Sequence, residues 1–340
     1  MSKYEVREVT NKKEWEGFLL SRKPGTFLQS WNWGEVNISQ GFKVIRLAVY
    51  EGLKIIACAQ MIFQPAKRGR HYLIPGGPVA DYSKTDALKI LLDDIKTKAK
   101  EDGAWFVRVR PDEKSTDILL KEFKDFGFVR SPMHVHGENT IVLDITNDLD
   151  DILKNMRKTT RYLIRKSENS GLSLEIFKDS KQIDILTSLQ EDTVKRHKFI
   201  GFSEKLFKLQ MDIFGNEGQA LFFVCKMKNI PLAAAIIMLY GEKAFYHHSG
   251  SSNEGQKTNS SYFMQWEIIK EVKRLGYKYY DFWGIAPTDN PNHRFAGVTT
   301  FKKGFGGERL DWLHAQDLII SPMYWLTYVF ETFRRKFRRL

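Results

Sequence analysis

Residues 279–308 read YYDFWGIAPTDNPNHRFAGVTTFKKGFGGE. The run Tyr279-Tyr280-Asp281-Phe282-Trp283 has the aromatic composition of a β-strand, closed by Gly284. Pro287 and Pro291 then rule out a helix across the polar loop that follows. In Phe301-Lys302-Lys303-Gly304-Phe305-Gly306-Gly307, glycines beside two lysines predict a returning turn whose backbone can approach a ligand closely. A strand and a turn would thus bring an acid, Asp281, next to Lys302. The same residues also describe a strand, a surface loop and a solvated lysine pair.

At 340 residues the chain is long enough for two domains. Its apolar fraction of 42% and charged fraction of 28% are those of a globular protein, which excludes a disordered or fibrous chain. The formal net charge of +12 favours a polyanionic partner: nucleic acid, an anionic membrane or a phosphorylated substrate. Cys58 and Cys225 are far apart, with neither CxxC nor zinc spacing, and are expected as buried reduced thiols. The opening MSKYEVREVTNKKEW is too polar for a signal peptide, and no apolar run approaches the ~20 residues of a membrane span. A cytoplasmic protein is the expectation.

The rest of the chain repeats itself. Strands are predicted at 43–50, 55–64, 72–78 and 105–111, with a helix over 84–102 whose apolar residues Ala87, Leu88, Leu91, Leu92, Ile95 and Ala99 share one face. Gly103 ends that helix. Strands at 221–227, 233–240, 244–248 and 277–283 and a helix over 260–275 follow in the same order, with Gly250 and Gly276 in place of Gly76 and Gly103. This is an internal duplication, each half an α/β layer of helices on a mixed sheet. A helix after Leu149 carries Lys154, Arg157, Lys158, Arg161, Arg165 and Lys166, most of them on one side.

The pattern Y-D-F-x-G-I, a loop, then F-K-K-G-F-G resembles the FemABX family. Phe27, Gln29, Ser30, Trp33, Gly34 and Val36 are similar to that family's F-x-Q-S-x-x-W-G-x-V motif. Thr193, Arg196, His197 and Phe199 are similar to its T-x-x-R-[DHN]-x-[FI] segment. The resemblance implies two tandem GNAT-like acyltransferase domains with mixed sheets: residues 1–145, completed by a C-terminal segment from about 318 to 340 that packs back on the first domain, and residues 146–317. It implies transfer of an amino acid from aminoacyl-tRNA to the stem-peptide amine of a peptidoglycan precursor, either lipid II or a UDP-linked pentapeptide. The protein would act as a monomer without cofactor or metal. Gly215 runs almost directly into Leu221, so the two-helix arm of longer members is absent.

On this resemblance Lys302 is the catalytic cation and Asp281 the candidate base. Phe301, Lys303, Arg157 and Arg161 would bind tRNA. Trp33, Asn37, Arg196, His248 and Arg110 would bind the acceptor. The chain departs from the family at several points: Asn37 stands where some members have lysine, Phe202 and Leu206 where some have arginine and tyrosine, and Arg110 where some have an acid. These departures imply a different acceptor. Asp317 matches an acid of a G-D-F segment in longer members. The final helix, with Tyr324, Trp325, Tyr328, Val329 and Phe330 before Arg334, Arg335, Lys336, Arg338 and Arg339, is suited either to an anionic bilayer or to closing the first domain. Two other readings stay open. One is a CoA-dependent N-acyltransferase, although Ser251–Lys257 lacks the [RQ]-x-x-G-x-[GA] pattern. The other is a non-catalytic basic adaptor for RNA or membrane surfaces.

Overall fold

The structure, a computed structural model, describes residues 3–22, 25–67, 69–197 and 201–338, with the side chains of 195–197 and 338 left aside. In chain order the strands are β1 (Glu5–Glu8), β2 (Val44–Glu51), β3 (Lys54–Gln64), β4 (His71–Gly76), β5 (Val79–Ala80), β6 (Phe106–Pro111), β7 (Phe128–Arg130), β8 (Asn139–Asp144), β9 (Leu172–Phe177), β10 (Ala220–Met227), β11 (Ile230–Tyr240), β12 (Lys243–Ser251), β13 (Tyr279–Asp281), β14 (Glu308–Asp311) and β15 (Gln316–Ile319). The helices are α1 (Lys12–Ser21), α2 (Trp31–Ser39), α3 (Thr85–Glu101), α4 (Asp117–Asp125), α5 (Leu149–Asn155), α6 (Lys158–Glu168), α7 (Ile183–His197), α8 (Glu204–Phe214), α9 (Asn253–Lys257), α10 (Ser260–Arg274), α11 (Ala296–Lys303) and α12 (Tyr324–Arg338). Among the described residues no helix is long and apolar enough to cross a membrane.

Two compact units result: Met1–Glu138 with Asp311–Leu340, and Asn139–Leu310. The first holds a sheet of order β1-β2-β3-β4-β6-β15-β7, with β5 paired to β3. The second reads β9-β10-β11-β12-β13-β8-β14 in the same direction. Each contains a parallel pair: β4 with β6, and β12 with β13. A parallel neighbour needs a crossover, and α3 and α10 supply it. The helix α3 buries Ala87, Leu88, Leu91, Leu92, Ile95 and Ala99, the stripe predicted from spacing, against Leu47, Ala59, Val107 and Val109. Gly103 takes φ +63°, the left-handed conformation that ends a helix. An α/β fold of two like layers on mixed sheets is therefore the observed one, and α12 packs on the first unit.

The expected junction at 145/146 moves. β8 joins the second sheet, Leu143 opposite Tyr280 and Val142 opposite Asp281, so the second unit begins at Asn139. The return comes before 318, because Trp312 and Leu313 already bond to Glu138 and Glu113 of the first unit. β15 then lies between β6 and β7, antiparallel to both. Each sheet thus takes its penultimate strand from chain that follows the other half's edge strand. Sequence patterning shows that a strand exists, not which sheet it completes.

The returning strand is held by charge. Arg108 on β6 donates to both carboxylate oxygens of Asp317, at 2.7 and 2.8 Å, and to Glu331 of α12 at 2.8 Å. Burial opposes the charge on this guanidinium, but the two carboxylates overcome it and hold the pKa above its ordinary value. Arg108 and Asp317 are both buried, at 4% and 0% exposure, so removing one strands the other. Asp317→Ala is expected to lower unfolding free energy by about 3–5 kcal/mol in urea titrations. A loss below about 1 kcal/mol would show that the pair does not hold β15 and α12 in place.

Candidate active site

The strand β13 stops at Asp281, two residues earlier than its aromatic run suggested. The cause is the Asp281 carboxylate. Its Oδ1 accepts the backbone N–H of Trp283 at 2.8 Å and the hydroxyl of Thr140. That pulls Trp283 to φ +60°, a left-handed conformation uncommon for a residue with a side chain. Backbone bonds from Phe282 to Ile141 and from Ile285 to Asn139, both 2.9 Å, fix the two sides of the kink. The carbonyls of Trp283 and Gly284 then face Lys302, whose Nζ donates to them at 3.2 and 2.8 Å.

Lys302 does not sit on a turn. It lies in the last turn of α11, where Thr299 braces the helix. The Thr299 hydroxyl donates to the Phe295 carbonyl and accepts the Ala286 N–H, each at 2.8 Å. The glycines act after the helix. Gly304 leaves room for the Thr160 hydroxyl, which would lie 2.3 Å from any Cβ there. Gly306 and Gly307 adopt φ +84° and +93°, which turn the chain into β14.

Lys302 is 6% exposed. Burial lowers its pKa to about 7, with Asp281 acting in the opposite direction. The expected fixed cation is therefore a titrating one, and its ammonium and amine forms are comparably populated near neutral pH. A buried titrating group of this kind is a candidate for proton transfer or charge stabilisation. The Tyr246 ring stands 5.8 Å from the Lys302 Nζ.

Other predicted residues gather here in part. Phe301 is half-buried, edge-on to Tyr262 at 4.9 Å and to Phe305 at 5.2 Å. Arg157 is exposed, its backbone N–H bonded to the Gly304 carbonyl at 2.9 Å and its guanidinium beside the Tyr262 ring. Lys303 is exposed and paired with Asp289 at 2.5 Å. Arg161 makes contacts within the fold. The basic run folds as two helices, α5 and α6, and Arg161 donates to the carbonyls of Lys154 (2.7 Å) and Met156 (2.5 Å) at the break. It caps α5 and so is occupied within the fold.

His248 lies on β12. It is buried between Phe202 and Phe207, with ring centroids at 4.6 and 4.9 Å. The neighbouring His247 instead meets the Trp283 ring at 5.3 Å and Gln210 at 3.5 Å. A bulge explains this. Ile236 pairs with His248 but Ile237 pairs with Tyr246, leaving His247 as the extra residue. Sequence reading passed over Thr140, Thr299 and Gln265, which bonds the Tyr280 hydroxyl at 2.8 Å. Thr140 meets Asp281 across 141 residues, and the bonds of Thr299 to Ala286 and of Gln265 to Tyr280 close loops of 13 and 15 residues, which no local pattern marks.

Trp33, Asn37 and Arg110 belong to the first unit. Trp33 is buried against Phe27 and His136, at 5.5 and 5.9 Å. Asn37 donates to the Trp33 carbonyl at 2.8 Å, one turn back on α2. Its amide serves the helix. Arg110 is 1% exposed and pairs with Asp112. Beside it, burial first and Arg110 second lower His136 to about 4. The side chain of Arg196 lies outside the described residues.

The duplicated sheet with a parallel pair in each unit defines an acyltransferase-type fold, and known proteins of that fold match this chain. Residues 10–228 and 222–330 match the FemAB family, and the chain belongs to it. The lipid II:glycine glycyltransferase of Staphylococcus aureus is 24% identical, over 95% of this chain and 94% of the relative. The crystal structure of FemX superposes with a TM-score of 0.85 at 22% identity, over 95% of this chain and 99% of that one. A tandem GNAT protein from the clavulanic acid biosynthesis pathway gives 0.61 at 9% identity, over 94% and 99%.

The buried lysine has a thermodynamic signature. In the unfolded chain lysine titrates near ~10.4; in the folded chain Lys302 titrates at about 7. Between these values unfolding takes up a proton, so stability rises with pH; below about 7 both states are charged and the full cost is present. Lys302→Met should therefore stabilise the protein at mildly acid pH by roughly 2–4 kcal/mol more than at pH near 10. Equal effects in denaturant titrations at both pH values would show that Lys302 is not titrating in a buried site.

Proposed function

We propose that this protein is an aminoacyltransferase of peptidoglycan bridge formation. It takes an amino acid from aminoacyl-tRNA and gives it to the stem-peptide amine of lipid II or the UDP-linked precursor. It works as a monomer in the cytoplasm, at the membrane face when the acceptor is lipid-linked. The carrying observation is Lys302, buried in the last turn of α11 beside Phe301 and bonded to the Trp283 and Gly284 carbonyls. Family membership and the glycyltransferase relatives support the same chemistry.

The acceptor nitrogen attacks the ester carbonyl carbon, a C–N bond forms, and the C–O bond to the tRNA ribose breaks. The nitrogen loses a proton and the ribose oxygen gains one. In its ammonium form Lys302 stabilises negative charge that develops during the step and can supply the proton the leaving oxygen needs. A pKa near the working pH suits that exchange. Asp281 shapes this site by fixing the Trp283 kink and favouring the charge on Lys302. Phe301, half-buried beside Lys302, and the exposed Arg157, whose backbone bonds to Gly304 just after α11, would meet a base and a phosphate of the tRNA.

The CoA-dependent reading is disfavoured by the segment before α10. It folds as α9, and Gly255 packs against the Leu232 carbonyl, 2.3 Å from where a Cβ would stand. That glycine supports packing and offers no pyrophosphate cradle.

Single-turnover transfer from labelled aminoacyl-tRNA to lipid II or its UDP-linked precursor tests the proposal. Wild type should form the amide without acyl-CoA. Lys302→Ala should fold normally and lose a factor of about 10² to 10³ in rate. Transfer by Lys302→Ala at the wild-type rate would remove Lys302 from the chemistry, and dependence on acyl-CoA would overturn the tRNA donor.

A further inference from the structure

We infer that the outward face of α12 is a docking surface for an anionic lipid bilayer. The helix is amphipathic in an inverted sense. Tyr324 and Thr327 are buried against the first unit, and Glu331 is turned inward to Arg108. Tyr324 stacks edge-on to Phe106 at 5.3 Å and bonds Asp317 at 3.1 Å. The opposite face should be polar if it met only water. It carries Trp325, Leu326, Val329, Phe333 and Phe337, exposed by 50%, 62%, 52%, 70% and 91%. Trp325, Val329, Phe333 and Phe337 follow one another at every fourth position, which keeps them on one stripe.

Charge identifies the occupant. Glu331 is the one acid in the α12 sequence, and Arg108 neutralises it from inside. Arg334 is exposed at the edge of the apolar stripe, and Lys336, three turns after Trp325, is exposed on the stripe itself. Lys67 lines the same shallow hollow as Thr327, Phe330 and Arg334, and the nearby Arg70 is also exposed. An apolar strip with basic side chains at its edge and near its C-terminal end, whose stems can lie along apolar surface while their charges reach headgroups, matches the boundary between acyl chains and anionic headgroups, with Trp325 suited to the interface. A second copy of this helix would bring like charges together, which disfavours self-pairing. The helix is too polar to span the bilayer, so it would lie in the plane of the surface. The docking face stands on α12 itself. It deepens the transferase reading only by placing the protein where a lipid-linked acceptor resides.

The test uses the full chain and vesicles of phosphatidylcholine with or without phosphatidylglycerol. Wild type should sediment with the anionic vesicles and much less with the neutral ones, and added salt should weaken binding. Trp325→Ser, Phe333→Ser and Phe337→Ser combined should reduce partitioning at least about tenfold, while amide formation on a soluble UDP-linked acceptor stays unchanged. Arg334→Glu with Lys336→Glu, which leaves the apolar stripe in place, should also reduce it, and this pair carries the test if the triple variant fails to fold. Wild-type binding no better to anionic than to neutral vesicles would overturn the inference, as would undiminished binding by both variants. A doubled mass in light scattering that the triple substitution abolishes would overturn it in favour of self-association. Vesicle binding as described, with no transfer from aminoacyl-tRNA, would leave the docking face standing and remove the transferase reading.

Discussion

A lysine ammonium cannot be buried cheaply, and the second unit is arranged around that constraint. Lys302 has two carbonyl acceptors because the chain kinks at Trp283. The kink exists because Asp281 accepts the Trp283 amide and the Thr140 hydroxyl. Thr140 is available because β8 lies beside β13. Thus the strand exchanged into this sheet supplies the group that orients the acid, and the acid aims the carbonyls at the lysine. Partial compensation leaves the lysine titrating at about 7. Full compensation would make it an ordinary cation, and none would make it a permanent amine.

The same architecture serves a different purpose in the first unit. There the equivalent slot between the crossover strand and the edge strand is filled by β15, and its buried charge pair is Arg108 with Asp317. That pair is closed, with Glu331 completing the guanidinium's partners. It anchors α12, whose inner face is thereby committed and whose outer face remains apolar. One copy of the duplicated sheet uses a buried charge for structure; the other holds a titrating group beside a kinked loop.

Much of this was legible in the sequence. The α3 stripe and the left-handed Gly103 follow from local rules. The repeated order of strands and helices showed the duplication, and the F-K-K-G motif pointed to Lys302. What failed was non-local. The glycines around Lys302 suggested a turn, but bonds through Thr299 hold α11 as a helix. No pattern marks the bulge that separates His247 from His248, and none shows that Arg161 caps α5 or that Asn37 bonds its own helix. The sheet that β8 joins is chosen by a partner strand more than a hundred residues away.

The most direct measurement is the titration of Lys302 itself. Lysine labelled with 13C at Cε, assigned by comparison with Lys302→Arg, reports each ammonium's midpoint by NMR. The account predicts one resonance with a midpoint near 7, absent in the variant, among others near the usual value of ~10.4. A Lys302 resonance that titrates with the other lysines would contradict it.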